Sequence, residues 1–245
     1  MSTTYHKDFA PLRFLPIPVR IPWLIKLVGK GMRRGFAGVK PRDGITVEER
    51  TIESEGGSRV PIEIYRAPST PPEKAPCFLC LHGGGFVYPA STHHRKLMFR
   101  YAKEAACTVV HVDYTLALDA PFPAGLEDCF ATLEFLAANA DALGIDRERI
   151  AVGGDSAGGG LAAGLAHLTR DRKGPPLSFQ LLIYPVTDGS LTSESARTFV
   201  DTPLWSTPKT RAVRKHYRVD EADLDRSYAF PLHATNFDSL PPAYI

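Results

Sequence analysis

Ile150-Ala151-Val152-Gly153-Gly154-Asp155-Ser156-Ala157-Gly158-Gly159-Gly160-Leu161 is the stretch on which the reading of this chain turns. A short apolar run leads into a turn bracketed by glycines, and an Ala/Leu-rich segment follows to residue 170. That order predicts strand, tight turn and helix. Glycines on both sides of Ser156 allow a turn so sharp that the hydroxyl projects above a sheet. Strand, turn and helix are the context a nucleophile elbow requires, and residues 154–158 carry its G-x-S-x-G form. The pentapeptide alone arises by chance roughly 0.09 times in a chain of this composition. Its setting therefore counts for more than its letters.

Working outward, the same short apolar run recurs at Cys77 to Leu81, Cys107 to Val112 and Phe179 to Ile183, of the kind buried on both faces. Helix-like segments separate the runs; Leu126, Phe130, Leu133, Leu136 and Ala137 recur at helical spacing over residues 126–143. Strand alternating with helix predicts an α/β fold, a mostly parallel sheet flanked by helices. Ahead of it, Thr46 to Ile52 and Arg59 to Arg66, joined through Glu55-Gly56-Gly57-Ser58, read as a β-hairpin. Residues 1–42 differ: they are broken by Pro11, Pro16, Pro18 and Pro22, and then carry Trp23 to Val28 and the basic Lys30, Arg33 and Arg34. They are too few for a core of their own, so they must lie on something else. A lid over the body and a membrane-surface helix are the two readings. The body is residues 43–245, interrupted at about 190–227 by a polar, basic excursion around Trp205, Pro208 and Arg211 to Arg218.

The 245 residues are 44% hydrophobic and 23% charged, with 29 Lys+Arg against 27 Asp+Glu and a formal net charge of +2; mean hydropathy is -0.13. Disorder, collagen repeats and coiled coil are excluded. So weak a net charge sets up no strong overall field to recruit nucleic acid or an acidic membrane, and points to a small-molecule partner. Cys77, Cys80, Cys107 and Cys129 sit in apolar surroundings, as reduced thiols do, and nothing resembling a signal peptide precedes them. A cytoplasmic protein without stable membrane insertion is expected. Cys77 and Cys80 have C-x-x-C spacing, but on a strand they point to opposite faces. No His/Asp/Glu/Cys cluster has ligand spacing, so neither metal nor cofactor is expected.

His82-Gly83-Gly84-Gly85-Phe86 closes the first buried run. Three glycines at the carboxyl end of a strand let backbone N–H groups turn toward one point, and a tetrahedral oxyanion needs such fixed donors. The Lys-Ser/Thr ending of a phosphate loop is absent.

Together the two glycine motifs resemble the hormone-sensitive-lipase family of α/β-hydrolases, in its bacterial esterase branch. Val112 to Ala117, Pro121 to Ala124 and Asp128 are similar to further family stretches, as are Leu182 to Asp188 and Leu240 to Ala243. The resemblance implies that Ser156 is the nucleophile and that Gly83, Gly84 and Ala157 supply the oxyanion amides. It also implies that His82 and Gly85 support that loop, and that the N-terminal segment and residues 190–227 cap an acyl pocket.

In the family the acidic member of the triad follows the seventh strand and the histidine follows the eighth, and Ile245 precedes both positions. The expectation is an α/β-hydrolase core without its C-terminal strands and with an incomplete triad. Serine needs a neighbouring base to take its proton. Asp188, at the end of the strand next to that of Ser156, is the candidate acid; His233 and His216 are the candidate bases. His167 lies about 16 Å down the helix from the hydroxyl. His93 and His94 are expected at the pocket rim. The reading is a serine carboxylesterase for short- to medium-chain acyl esters. The alternatives are a catalytically impaired or ligand-binding remnant and an amidase or peptidase. Phe179 to Val186 is expected to form a bare apolar sheet edge through which copies associate.

Overall fold

A computed structural model describes residues 17–54, 57–219 and 226–245, together with Asp8 and Leu12. Most of the expected N-terminal cap before Ile17, the hairpin tip at Glu55 and Gly56, and residues 220–225 of the excursion lie outside the described residues.

The segment with the Pro22 start and the Trp23 to Val28 run is a helix, α1 (Pro22–Gly38). Proline suits its first turn, where an N–H would find no partner in any case. The hairpin follows as β1 (Thr46–Glu53) and β2 (Arg59–Arg66), paired antiparallel from Thr46 opposite Arg66 to Glu53 opposite Arg59. The apolar runs become β3 (Ala75–Leu81), β4 (Thr108–Val112), β5 (Ile145–Asp155) and β6 (Phe179–Ile183). Between them lie α2 (Thr92–Glu104), α3 (Ala124–Ala138) and α4 (Ala157–Asp171). The excursion holds α5 (Glu194–Thr198) and α6 (Thr207–Tyr217). It is followed by α7 (Arg226–Ala229), a single 3-10 turn (Pro231–His233) and β7 (Ala243–Tyr244).

The seven strands form one sheet in the order β1-β2-β4-β3-β5-β6-β7. β2 pairs antiparallel with β4, and from β4 outward all neighbours are parallel. Both faces of the central β3 and β4 are buried, which explains their unbroken apolar sequence, whereas β6 buries Gln180 and Leu182 on one face and leaves Phe179 exposed on the other. Cys77 belongs to the core on one face and Cys80 to the core on the other. They are buried and unpaired with each other, and burial pushes both thiols up to about 12. The register aligns Leu81 with Val112 and with Gly154, and Asp155 with Ile183. The chain segments leaving these strands therefore start side by side along one rim.

The expected bare edge is corrected in part, since β7 covers Gln180 and Leu181 only. β6 stops at Ile183 because Tyr184 takes a φ of 36° and Pro185 brings no N–H to continue the ladder. Its outer side is paired with β7, Gln180 opposite Ala243 and Leu181 opposite Tyr244.

Candidate active site

Ser156 stands between the last residue of β5 and the first of α4, with φ 53° and ψ -116°. A non-glycine residue there is strained and persists only where its surroundings hold it. Three backbone bonds do so: Ser156 N–H donates to Ile183 O at 2.9 Å, and Ser156 O accepts from Gly160 N and Val186 N at 3.0 Å each. The side chain is half-buried, and its hydroxyl has no partner among the described residues.

The flanking glycines are needed for close approach; neither takes a positive φ, and the left-handed residue of the turn is Ser156 itself. A Cβ at Gly154 or at Gly158 would run into the carbonyl oxygen of Leu81, and at Gly158 it would also stand 2.7 Å from the carbonyl carbon of His82. The elbow thus lies backbone against backbone on the end of β3, where the Gly83 to Gly85 loop begins.

That loop is braced from beneath by His82, which is fully buried. His82 Nδ1 donates to Gly83 O at 2.8 Å, its ring stacks on Tyr114 at 4.3 Å, and Tyr114 Oη donates back to His82 O at 2.7 Å. Burial, then the nearby His111, hold the imidazole well below its ordinary value, so it is neutral and carries its proton on Nδ1. Gly84 has a φ of 134°, which L side chains rarely adopt.

The assignment of Gly83 as an oxyanion donor is corrected by its hydrogen bond. Gly83 N–H donates to Asp155 Oδ1 at 3.0 Å, so this amide is spent. Gly84 N–H and Gly85 N–H have no acceptor among the described residues. Ala157 is the first residue of α4, whose leading N–H groups no helical carbonyl reaches. The free amides are therefore those of Gly84, Gly85 and Ala157.

Asp155 is the residue that sequence reasoning passed over. Its carboxylate also lies 3.1 Å from His94 Nε2. His94 Nδ1 accepts the Ser91 N–H at 2.9 Å at the start of α2, so the ring's proton is on Nε2, facing Asp155. His94 is thus corrected from pocket rim to a strut linking α2 to the elbow, whereas His93 is exposed. Burial alone would raise the Asp155 carboxyl. The hydrogen bonds from His94 Nε2–H and from the Gly83 N–H outweigh it and hold the group below its ordinary value. A carboxyl held down in this way lends stability that is complete above its unfolded-state value, near 3.8, and lost as pH falls through the lower folded value. Thermal melts from pH 7 downward are expected to show Asp155→Asn less stable than the parent at neutral pH, with the difference narrowing as pH falls below about 3.8. A constant difference across that range would remove the carboxylate's charge from this role.

The candidate acid and base are brought together in part. Asp188 follows β6, and its Oδ1 lies 3.4 Å from His233 Nε2. Leu232 N–H donates to Thr187 O at 3.0 Å, which holds the His233 turn against this loop. Burial would raise Asp188, and the Ser190 hydroxyl and amide together with His233 bring it below its ordinary value. His216 is elsewhere: its Nε2 lies 3.2 Å from Val19 O, tying α6 to the segment ahead of α1. His167 is buried in α4 beside Phe237.

The excursion reaches the glycine loop. Trp205 lies so close over Gly85 that a Cβ there would stand 2.7 Å from its Cη2. Tyr217 stacks on Phe86 at 3.9 Å and meets Phe122 and Phe230 edge-on. Tyr88 Oη donates to Pro18 O, joining the residues before α1 to the same wall. Among the described residues no group of three or more His, Cys, Asp or Glu could hold a metal.

The family described as the alpha/beta hydrolase fold matches residues 78–245. The chain is 38% identical over 205 residues to carboxylesterase NlhH of Mycobacterium tuberculosis, covering 82% of this chain and 64% of that protein. It is 36% identical over 198 residues to an ethyl acetate hydrolase of Pseudomonas putida, covering 80% and 62%. It thus spans less than two thirds of the length of either curated relative. Among solved structures a bacterial heroin esterase superimposes with a TM-score of 0.82 at 35% identity, covering 96% of this chain and 76% of that one.

Proposed function

The chain belongs to the alpha/beta hydrolase fold family, and on that premise we propose that it carries the nucleophile and oxyanion site of a serine carboxylesterase. The observation that carries this reading is the free Ser156 hydroxyl, held on a strained elbow against a loop with unused amides. Ser156 Oγ attacks the ester carbonyl, and its proton passes to a base. The carbonyl oxygen becomes an oxyanion received by the Gly84, Gly85 and Ala157 amides. When the C–O bond to the alcohol breaks, the leaving oxygen takes the proton and an acyl-enzyme remains on Ser156. Water then releases the acid by the same route. Support for an ester as substrate comes from the relatives named carboxylesterase and ethyl acetate hydrolase.

Short acyl groups are favoured, because Trp205 and the ring cluster of Phe86, Tyr217 and Phe122 crowd the space beside Gly85. Of the two expected cap segments, the described parts, residues 17–42 and 190–219, are the cap over that space. Among the described residues the Asp188 and His233 pair is the acid and base set on the loops beside the elbow.

Incubation with p-nitrophenyl acetate, quenching in acid and mass mapping are expected to place an acetyl group on the peptide containing Ser156. If the Asp188 and His233 pair assists, the rate depends sigmoidally on pH, and His233→Ala flattens the profile. A profile unchanged by His233→Ala removes the pair from the reaction, and an acetyl group found elsewhere removes Ser156.

A further inference from the structure

Helix α1 is amphipathic in a way that its contacts with the body do not use up. At about 100° per residue, Ile25, Gly29, Met32 and Phe36 fall on one stripe. This stripe faces the protein: Ile25, Gly29 and Phe36 are buried, and a Cβ at Gly29 would stand 3.2 Å from Pro89 Cδ. Trp23, Leu27, Lys30 and Arg34 fall on the opposite ridge, about half a turn away. Trp23 is 67% exposed and Leu27 58%, and Ile21 and Val28 beside them are exposed as well. A ridge directly opposite the packed stripe cannot be covered by the surface that α1 already rests on.

Its charge says what would cover it. Residues 22–38 contain Lys26, Lys30, Arg33 and Arg34 and no acidic residue. Lys26 and Arg33 are spent on Asp119 and Asp113, at the sides of the helix. Lys30 and Arg34 continue the Trp23 and Leu27 ridge without a carboxylate partner among the described residues, and Arg20 stands exposed just before it. An aromatic and an aliphatic side chain at one end of a ridge and free cations along the rest are the pattern of a helix lying in a lipid interface. The apolar groups enter the acyl boundary, the indole suits the headgroup level, and the cations meet phosphates. A protein groove would need acidic residues placed along that line, whereas an anionic bilayer offers negative charge everywhere.

We propose that the outer ridge of α1 docks this protein peripherally on anionic phospholipid bilayers. The helix packs beside Val87 and Pro89, just past the Gly83 to Gly85 loop, so docking holds that loop about one helix diameter, roughly 10 Å, from the lipid.

The test is co-sedimentation of the full chain with vesicles of phosphatidylcholine alone and of phosphatidylcholine with phosphatidylglycerol in equal parts, at low salt. Binding is expected to the anionic vesicles and to be weakened by added salt. Lys30→Glu/Arg34→Glu is expected to lower the partition coefficient by about fivefold or more per charge reversed. Trp23→Glu/Leu27→Glu is expected to abolish binding. Since these positions face away from the core, all variants should melt with the parent. Sedimentation velocity of the parent is run beside them. Equal recovery with both vesicle types, or no recovery with either, overturns the proposal. So does a dimer that Trp23→Glu/Leu27→Glu dissolves, which would make a second copy the occupant.

Discussion

Ser156→Ala is expected to remove hydrolysis of p-nitrophenyl acetate and butyrate, with a loss of about 10³-fold or more, and to leave the melting temperature unchanged. The two halves of this prediction have one cause. The Ser156 hydroxyl makes no bond to the protein among the described residues, so its removal costs no native contact. The elbow is held by backbone atoms, through Ile183 O, Gly160 N and Val186 N, and an alanine keeps all three bonds with the same Cβ at the same φ of 53°. The comparison between variant and parent is what decides. An oxyanion site and binding alone can sustain roughly 10³ to 10⁴ over the water rate, so weak turnover of an activated ester by the parent would not identify the nucleophile. Equal, feeble rates in the two proteins would leave a ligand-binding remnant of the family as the better description.

Gly158→Ala is expected to destabilise the protein by about 3 kcal/mol or more, because the added methyl group has no direction in which to relax. The atoms it would meet are backbone: Leu81 O, Leu81 C at 2.6 Å and His82 C at 2.7 Å. Backbone at the end of a central strand does not yield as the tip of a long side chain would. Either α4 lifts away from β3 or the glycine loop is driven off its bracing on His82 and Tyr114. For a chain of this length such a loss lowers the melting temperature by about 6 °C or more. Gly31→Ala is the matched control. A Cβ there meets nothing within 4 Å, and a helix interior gains from alanine by about 0.5–1 kcal/mol. Thermal melts of the two variants should therefore move in opposite directions. A Gly158→Ala protein as stable as the parent would show that elbow and strand end are not in the close contact described.

Much of this was readable from local pattern. The apolar runs at Cys77 to Leu81, Cys107 to Val112 and Phe179 to Ile183 are strands, and 157–171 is a helix, because strand and helix periods are properties of the chain itself. The same holds for the opposed faces of Cys77 and Cys80. The end of β6 was misjudged since Tyr184 and Val186 continue the apolar pattern, while the φ of 36° at Tyr184 is imposed by neighbours. The pairing of Ala243 and Tyr244 with β6 likewise depends on a chain segment some sixty residues away coming to lie beside it.

The line between sequence and tertiary structure runs through the site itself. Residue order alone placed Ser156 in a strand-turn-helix elbow and three glycines at the end of a neighbouring strand, because backbone that must approach other backbone closely leaves room for no Cβ and so marks itself with glycine. It could not say which amides stay free, since that depends on who else accepts their hydrogen bonds. Only the folded chain puts the Asp155 carboxylate on Gly83 N–H and His94 behind Asp155, across 72 and 61 residues of sequence. The same is true of candidates that were equals on paper. His233 meets Asp188, while His216 turns to Val19, and no periodicity separates them. A turn or a helix is decided by neighbours in the chain, whereas a hydrogen-bond partner is decided by neighbours in space.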